Sequence, residues 1–395
     1  MDNFEFDLFI DKPISPEELF LAYYDCRKHK RNSSSALSFE MNLEHNLFVL
    51  LDEINNFSYK PQPYTCFIIE KPTVREVFAA SFRDRIVHHL VINAINPFLE
   101  KRLIYDTYAS RVGKGTHFGI ERLRHFMASS TNNWKEEAWC LKLDIKSFFA
   151  SIDKNLLYKR LIDYLDKTYT NDNYRVICNL IEKIILTSPI EDARIISPKE
   201  KWDKLDKSKS LFSTSSNKGL PIGNLTSQIF ANFYMASLDH FIKHDLAMKM
   251  YGRYVDDFFL IHKDKDYLKD CLYRIAFFLK NELKLELNKK KVILQRVNSG
   301  VKFLGVKIEA GHTNIAKRTQ NNFRSAIYKY NHKAFSHKLY KQEREKLLAT
   351  INSYLGILSH YNTFNKRVEL MELLSPSVLH LFKIEQGFKK VKLAH

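Results

Sequence analysis

Arg253-Tyr254-Val255-Asp256-Asp257-Phe258-Phe259-Leu260-Ile261-His262 sets two adjacent carboxylates between apolar and aromatic runs that read as the two strands of a tight hairpin. The acids therefore fall at the turn. Two bare carboxylates held this close repel each other and cost stability unless a cation sits beside them, which makes the pair read as half of a divalent-metal site. The competing reading is an ordinary solvated hairpin tip, where Asp is common. A metal site of this kind points to phosphate chemistry.

The other half should be a further Asp on a separate strand. In Trp139–Asp153, Leu141, Leu143 and Ile145 alternate with Lys142, Asp144 and Lys146 ahead of the pair Phe148-Phe149, so that Asp144 ends a strand. Alternatively, Asp144 caps a helix beginning near Ser147 or Ser151. Two oxygen-liganded Mg²⁺ ions roughly 4 Å apart can activate a 3′-hydroxyl and neutralise a leaving pyrophosphate; Asp144, Asp256 and Asp257 are the expected ligands. Between the two acidic pieces runs Lys218–Ile242, where Gly219, Pro221, Gly223 and Asn224 form a loop and an apolar run at helical spacing follows from Ser227. Such a loop feeding a helix can floor a nucleotide pocket, although Gly-Pro loops before helices are also common punctuation.

Composition agrees with a polyanion partner. The 395 residues carry 62 Lys and Arg against 45 Asp and Glu, a net charge of +17, which suits binding to a nucleic-acid backbone that weakens with salt. No segment is long and apolar enough to cross a bilayer, since runs such as Val176–Ile190 are broken by Glu182 and Lys183, and no membrane partner is expected. The acidic start Met1–Phe9 does not resemble a signal peptide. Cys26, Cys66, Cys140, Cys178 and Cys271 lack metal or disulfide spacing, and a reducing cytoplasm, bacterial or phage-encoded, is the expected compartment. Ser15-Pro16-Glu17-Glu18 predicts a capped helix start, with residues 15–60 largely helical and a loop at Ser33-Ser34-Ser35. The basic patch Arg27–Arg31 reads equally as a template contact or a solvated helix end.

An Asp strand, a Gly loop with its helix, and a Tyr-Val-Asp-Asp hairpin, in that order, resemble the reverse transcriptase family. The resemblance extends from about residue 60 to 310: Arg75–Glu100 and Tyr108–His117 look like the fingers segments of bacterial members, Lys289-Lys290-Lys291 like the lysine motif, and Phe303-Leu304-Gly305 like the primer-grip turn. The loop has Ile222 where retroviral and group II intron enzymes usually have Gln, and Gln228 where they have Pro. That variant is similar to diversity-generating retroelement enzymes, and some defence-associated bacterial reverse transcriptases share it. Residues 187–217 read as an insertion that a plain retroelement enzyme lacks.

The resemblance implies an α/β (α+β) right-hand polymerase fold. It comprises an N-terminal helical extension (1–60), fingers (61–135), an antiparallel-sheet palm (136–310, with the insertion at 187–217) and a helical thumb (311–395), without room for a nuclease domain. From Thr313 to Lys346, nine Lys and Arg stand against two Glu, interleaved with Phe323, Tyr328, Tyr330, Phe335 and Tyr340. This segment looks like a thumb that grips duplex phosphates, or equally like a basic helix with aromatics packed inward.

By the same resemblance, Asp144, Asp256 and Asp257 hold two Mg²⁺ ions, and Phe149 is a steric gate against a 2′-hydroxyl. Ile222, Gly223 and Gln228 line the nucleotide pocket, and the loss of Gln at 222 predicts error-prone copying. Arg75 and Lys71 are the implied triphosphate clamp, although the family lysine falls nearer Thr73; Lys291, or Lys290, is the implied acid toward pyrophosphate. The implied partners are an RNA template and DNA product, a structured or noncoding RNA, and an accessory protein. An RNA-binding scaffold without catalysis and an RNA-templated RNA polymerase are the competing expectations.

Overall fold

The computed structural model describes residues 12–28, 33–71 and 73–394. The chain divides into two compact units: one made of residues up to Gly115, Leu141–Leu260 and Lys265–Ile293, the other of Thr116–Cys140, Ile261–Asp264 and the residues from Leu294 onward. Helix Thr116–Ser130, inside the expected fingers segment, thus belongs to the second unit.

The first unit opens with helices Pro16–Arg27, Ser34–Glu40 and Leu43–Asn55. Ser15 closes the predicted capping box: its Oγ accepts from the Glu18 amide at 3.2 Å, and the Glu18 carboxylate accepts from the Ser15 amide at 2.9 Å. Ser33 caps the second helix by accepting from the Ala36 amide, so Ser34 and Ser35 are helical, not loop as expected; a Ser run before an apolar helix face reads as a cap and first turn. Leu19, Ala22, Tyr23 and Cys26 are buried on the first helix, which packs on the long helix Phe82–Arg102. Each large apolar side chain buried in this way contributes about 1.5–3 kcal/mol, against about 1 kcal/mol for a cap, so packing decides where these helices lie. His29, Lys30 and Arg31 of the basic patch, and the acidic start Met1–Phe9, lie outside the described residues.

Strands Arg75–Ala79, Thr65–Ile69 and Arg194–Ile195 form a three-stranded sheet in that order. The first pair is antiparallel, with Cys66 opposite Phe78, and the third strand runs parallel to the second, with Thr65 opposite Arg194. The segment 187–217 therefore builds part of this sheet. Further bonds fasten it: Ser197 Oγ accepts from the Ile68 amide at 2.9 Å, while the buried Glu76 carboxylate accepts from Ser210 Oγ at 3.1 Å and the Leu211 amide at 2.7 Å. Tyr64, Cys66, Phe78, Ala80, Ala150 and Leu211 form the core beneath, with Trp202 packed against it.

A four-stranded sheet has the order Met250–Tyr254, Asp257–His262, Trp139–Asp144, Ile293–Arg296. Phe258, Phe259, Leu260, Ile261, Leu141 and Leu143 are all buried. Helix Leu225–His240 begins two residues before the expected start and is buried on nearly every side, packing on Phe82–Arg102. An apolar helix that is covered all round fixes the loop at its N-terminus.

The second unit contains an antiparallel meander, Val301–Phe303, Val306–Glu309 and His312–Ile315, whose first turn carries Leu304 and Gly305 in the left-handed region. Helices Lys317–Ser336, Lys341–Ser359, Phe364–Met371 and Pro376–Leu379 follow, around a core that includes Phe323, Ile327, Leu347, Ile351, Leu355 and Leu370. The chain then adds an antiparallel hairpin, Phe382–Glu385 with Lys390–Leu393, to the segment 311–395 expected as a helical thumb. The aromatics of this unit divide: Phe323 is core, whereas Tyr328, Phe335 and Tyr340 are exposed. Among the described residues, no helix is long and apolar enough to cross a membrane.

Candidate active site

Asp144 is the last residue of its strand, and Asp257 is the first residue of the neighbouring one. Asp256 lies in the two-residue connection after Tyr254. The hairpin and the separate Asp strand thus bring the three carboxylates together at one end of the sheet. Asp144 caps no helix: the short helix Phe148–Ser151 is preceded by Ser147 at φ +47°, and the next, Lys154–Thr168, is capped by Asp153.

The electrostatics of the trio are those of crowded acids. Burial, and next the Asp144 carboxylate, push the Asp256 carboxyl up to about 6. Burial also raises Asp257, opposed by the Lys142 ammonium, whose Nζ lies 3.1 Å from Asp257 Oδ2. Asp257 Oδ1 is buried and finds no hydrogen-bond partner among the described residues. Asp144 accepts from Lys291 Nζ at 2.6 Å and from Asn288 Nδ2 at 3.2 Å, and its carbonyl accepts from the Asn288 amide at 2.8 Å. Two lysines thus already supply positive charge here, and the orphaned Asp257 oxygen together with the raised Asp256 fits a hard cation held by oxygen ligands. Among the described residues, no group of three His, Cys, Asp or Glu forms a preassembled metal cluster.

Phe148 is buried and its neighbour Phe149 only half-buried, with ring centroids 5.3 Å apart. The chain thus spends one ring on the core and leaves the other partly open to solvent. The Phe149 carbonyl accepts from the Leu220 amide at 2.8 Å, which ties the Gly loop to the same spot. The loop is also laced to strand Arg75–Ala79: the Phe78 amide donates to the Ile222 carbonyl at 2.8 Å, and the buried Asn224 side chain donates to the Phe78 carbonyl at 3.0 Å and accepts from the Ala80 amide at 3.3 Å. Gly223 sits at φ +119°, and a Cβ there would lie 2.8 Å from Val77 Cγ1 and 3.1 Å from the Phe78 carbonyl oxygen. Glycine is required on both counts.

Ile222 is half-buried, and the exposed Gln228 accepts from Ser110 Oγ at 2.8 Å. Arg75 begins its strand, exposed, with Nε 3.1 Å from Thr73 Oγ1; Lys71 is exposed in the connection before it. Lys289–Lys291 form a short 3-10 turn with all three lysines exposed, and it is Lys291 whose Nζ bonds Asp144.

Spacing alone does not reveal Lys142, Asn288, Arg253 or Asp239, all of which support the acidic trio or its hairpin. The one available signal is a charged residue inside an apolar element, as at Arg253 in its strand and Asp239 in its helix.

The sequence pattern of the family described as reverse transcriptase (RNA-dependent DNA polymerase) matches residues 69–308. Protein YkfC of Escherichia coli (strain K12) is 22% identical over 309 residues, covering 69% of this chain and 72% of YkfC. The putative COX1/OXI3 intron 1 protein of Saccharomyces cerevisiae is 22% identical over 241 residues, covering 60% of this chain and 25% of that protein. Among solved structures, apo telomerase from Candida tropicalis has 13% identity and a TM-score of 0.47, covering 84% of this chain and 63% of that one. The chain therefore spans less than two thirds of that telomerase and a quarter of the yeast protein.

Proposed function

The chain belongs to the reverse transcriptase family, whose members are RNA-directed DNA polymerases, and from that premise we propose that it adds deoxynucleotides to a primer 3′-hydroxyl on an RNA template. The observation that carries this reading is the meeting of Asp144, Asp256 and Asp257 at one end of the palm sheet of a right-hand polymerase fold. Asp144 and Asp256 would hold the divalent cations, with Asp257 beside them; hard carboxylate oxygens favour Mg²⁺. Those cations, when bound, supply the charge that activates the 3′-hydroxyl and neutralises the leaving pyrophosphate. Lys291 donates to Asp144 at the edge of the acidic trio, and an ammonium held there would be the proton donor to the departing pyrophosphate. Phe149, whose ring is half-buried, would be the gate against a 2′-hydroxyl, Arg75 and Lys71 offer exposed cations to a triphosphate, and Ile222 offers no side-chain hydrogen bond to the sugar or base. Error-prone copying follows from that last point.

Purified protein given an RNA or DNA template, annealed primer, Mg²⁺ and labelled nucleotides tests the activity. Incorporation of deoxynucleotides on RNA supports the reading. RNA binding without incorporation across several templates would support a scaffold instead.

The Ile222 and Gln228 loop favours a role in a diversity-generating retroelement, with a structured RNA and an accessory protein as partners. A second reading, a defence-associated enzyme that copies its own noncoding RNA, is favoured by the segment 187–217, whose strand Arg194–Ile195 joins the sheet of Thr65–Ile69 and Arg75–Ala79. Sequencing the nucleic acid that co-purifies with the protein separates them: transcripts of a variable repeat support the first, one dedicated noncoding RNA the second.

A further inference from the structure

Val255 stands at φ +58°, in the left-handed region, immediately before Asp256. For a β-branched residue this is a strained conformation, which persists only where the surroundings over-determine it. The surroundings here are specific. Arg253, entirely buried, donates from Nη1 to the Val255 carbonyl at 2.9 Å. The rest of its guanidinium is locked from behind: Nε donates to Asp239 Oδ1 at 2.7 Å, Nη2 to Asp239 Oδ2 at 2.6 Å, and Nη1 also to Asn232 Oδ1 at 3.3 Å. Asp239 is buried too and accepts further from Tyr251 OH at 2.6 Å and Thr107 Oγ1 at 3.2 Å. The Arg253 backbone is pinned by two more bonds, to the Asp106 carbonyl and from the Tyr108 amide, both at 2.9 Å. Gly252 leaves room for this, since a Cβ there would meet Tyr108 OH at 2.1 Å.

A buried ion pair of this kind is weak evidence for stability, because well-packed neutral residues often do as well. Its informative feature is where the remaining donor points. We propose that Arg253 is a positioning residue: held rigid by Asp239, its guanidinium grips the Val255 carbonyl and fixes the left-handed turn that presents Asp256 to the cation site. The proposal rests on the polymerase reading of that site.

The test replaces the pair without leaving a lone buried charge: Arg253→Met with Asp239→Asn, whose Oδ1 keeps an acceptor for Tyr251 while its Nδ2 can donate to Thr107 Oγ1. Three measurements follow, namely kcat and KM for deoxynucleotide addition, Mn²⁺ affinity by electron paramagnetic resonance in the absence of substrate, and the urea midpoint. Misplacing reacting groups by about 1 Å costs up to about 100-fold, so kcat should fall about 10- to 100-fold with KM within about twofold, and Mn²⁺ binding should weaken in parallel. Adding Val255→Gly should restore most of both losses, because glycine adopts φ +58° without the clamp.

Wild-type kcat and Mn²⁺ affinity in the double variant, or a loss that Val255→Gly does not repair, overturns the proposal. If the double variant unfolds, Arg253→Lys decides, since one ammonium cannot serve both Asp239 and the Val255 carbonyl: lowered kcat and Mn²⁺ affinity at an unchanged urea midpoint support the clamp, and unchanged values refute it. Should wild type bind Mn²⁺ but incorporate nothing, the polymerase reading fails while the affinity comparison still decides the clamp.

Discussion

The three carboxylates are not equivalent. Asp144 is held by Lys291 and Asn288, Asp257 shares one oxygen with Lys142, and Asp256 is the one that burial and a neighbouring acid push up to about 6. Loss of one preorganised electrostatic group costs about 10²–10³ in kcat. Asp144→Asn and Asp256→Asn should each lose at least that much in single-turnover incorporation, and Asp257→Asn measurably less. The two adjacent phenylalanines separate in the same way. Phe149→Val should raise ribonucleotide incorporation relative to deoxynucleotide, whereas Phe148→Val, at a buried ring, should lower the urea midpoint without that change in selectivity. If ribonucleotide use does not rise in the first variant, the steric argument fails. At this scale the acidic trio is legible from sequence because alternation and a turn locate each Asp. Lys142, Asn288 and Arg253 are not, because each acts through contacts with atoms that spacing does not locate.

Among the elements, the Gly loop is the one most constrained by its neighbours. Gly223 combines a left-handed φ with contact against Val77 and Phe78, so Gly223→Ala must both strain the backbone and push the loop off strand Arg75–Ala79. A destabilisation of about 2 kcal/mol, from backbone strain of about 1–3 kcal/mol, should appear in urea unfolding, with KM for deoxynucleotides raised; an unchanged midpoint would mean that the loop is not packed as described. The hairpin, the Asp strand and the Ser15 cap are readable because each is encoded within a few residues. The attachment of 187–217 to the sheet of Thr65–Ala79 is not, since it depends on Glu76 meeting Ser210 and on a parallel pairing of two residues. The C-terminal hairpin is equally obscure in sequence: Lys390–Leu393 alternates like a strand but is too short to outweigh the helical pattern before it.

For the whole molecule, charge and buried ionisable groups set the response to solvent. His88 is buried in helix Phe82–Arg102, its Nδ1 without a partner among the described residues, and burial lowers its pKa to about 3. The unfolded chain, with an ordinary imidazole near 6.5, takes up a proton that the folded chain refuses. The contribution of neutral His88 is therefore complete above about pH 6.5 and declines as pH falls toward 3, by at most about 1.4 kcal/mol per pH unit. Urea midpoints at pH 7.5 and 5 should show this loss, and His88→Leu should make it smaller; an identical loss in the variant would contradict the assignment. The net charge of +17 predicts that RNA affinity falls steeply as salt rises, checked by titrations at two salt concentrations; a flat response would remove phosphate contacts as the main source of binding.

The proposed function requires that Asp144 and Asp256 together hold the metal for RNA-templated DNA synthesis. Primer extension on an RNA template, with wild type and with Asp256→Asn of equal urea stability, across a Mg²⁺ titration, tests it most directly. The expected result is Mg²⁺-dependent incorporation by wild type and none by the variant at any Mg²⁺ concentration. Incorporation by the variant at the wild-type rate would contradict it.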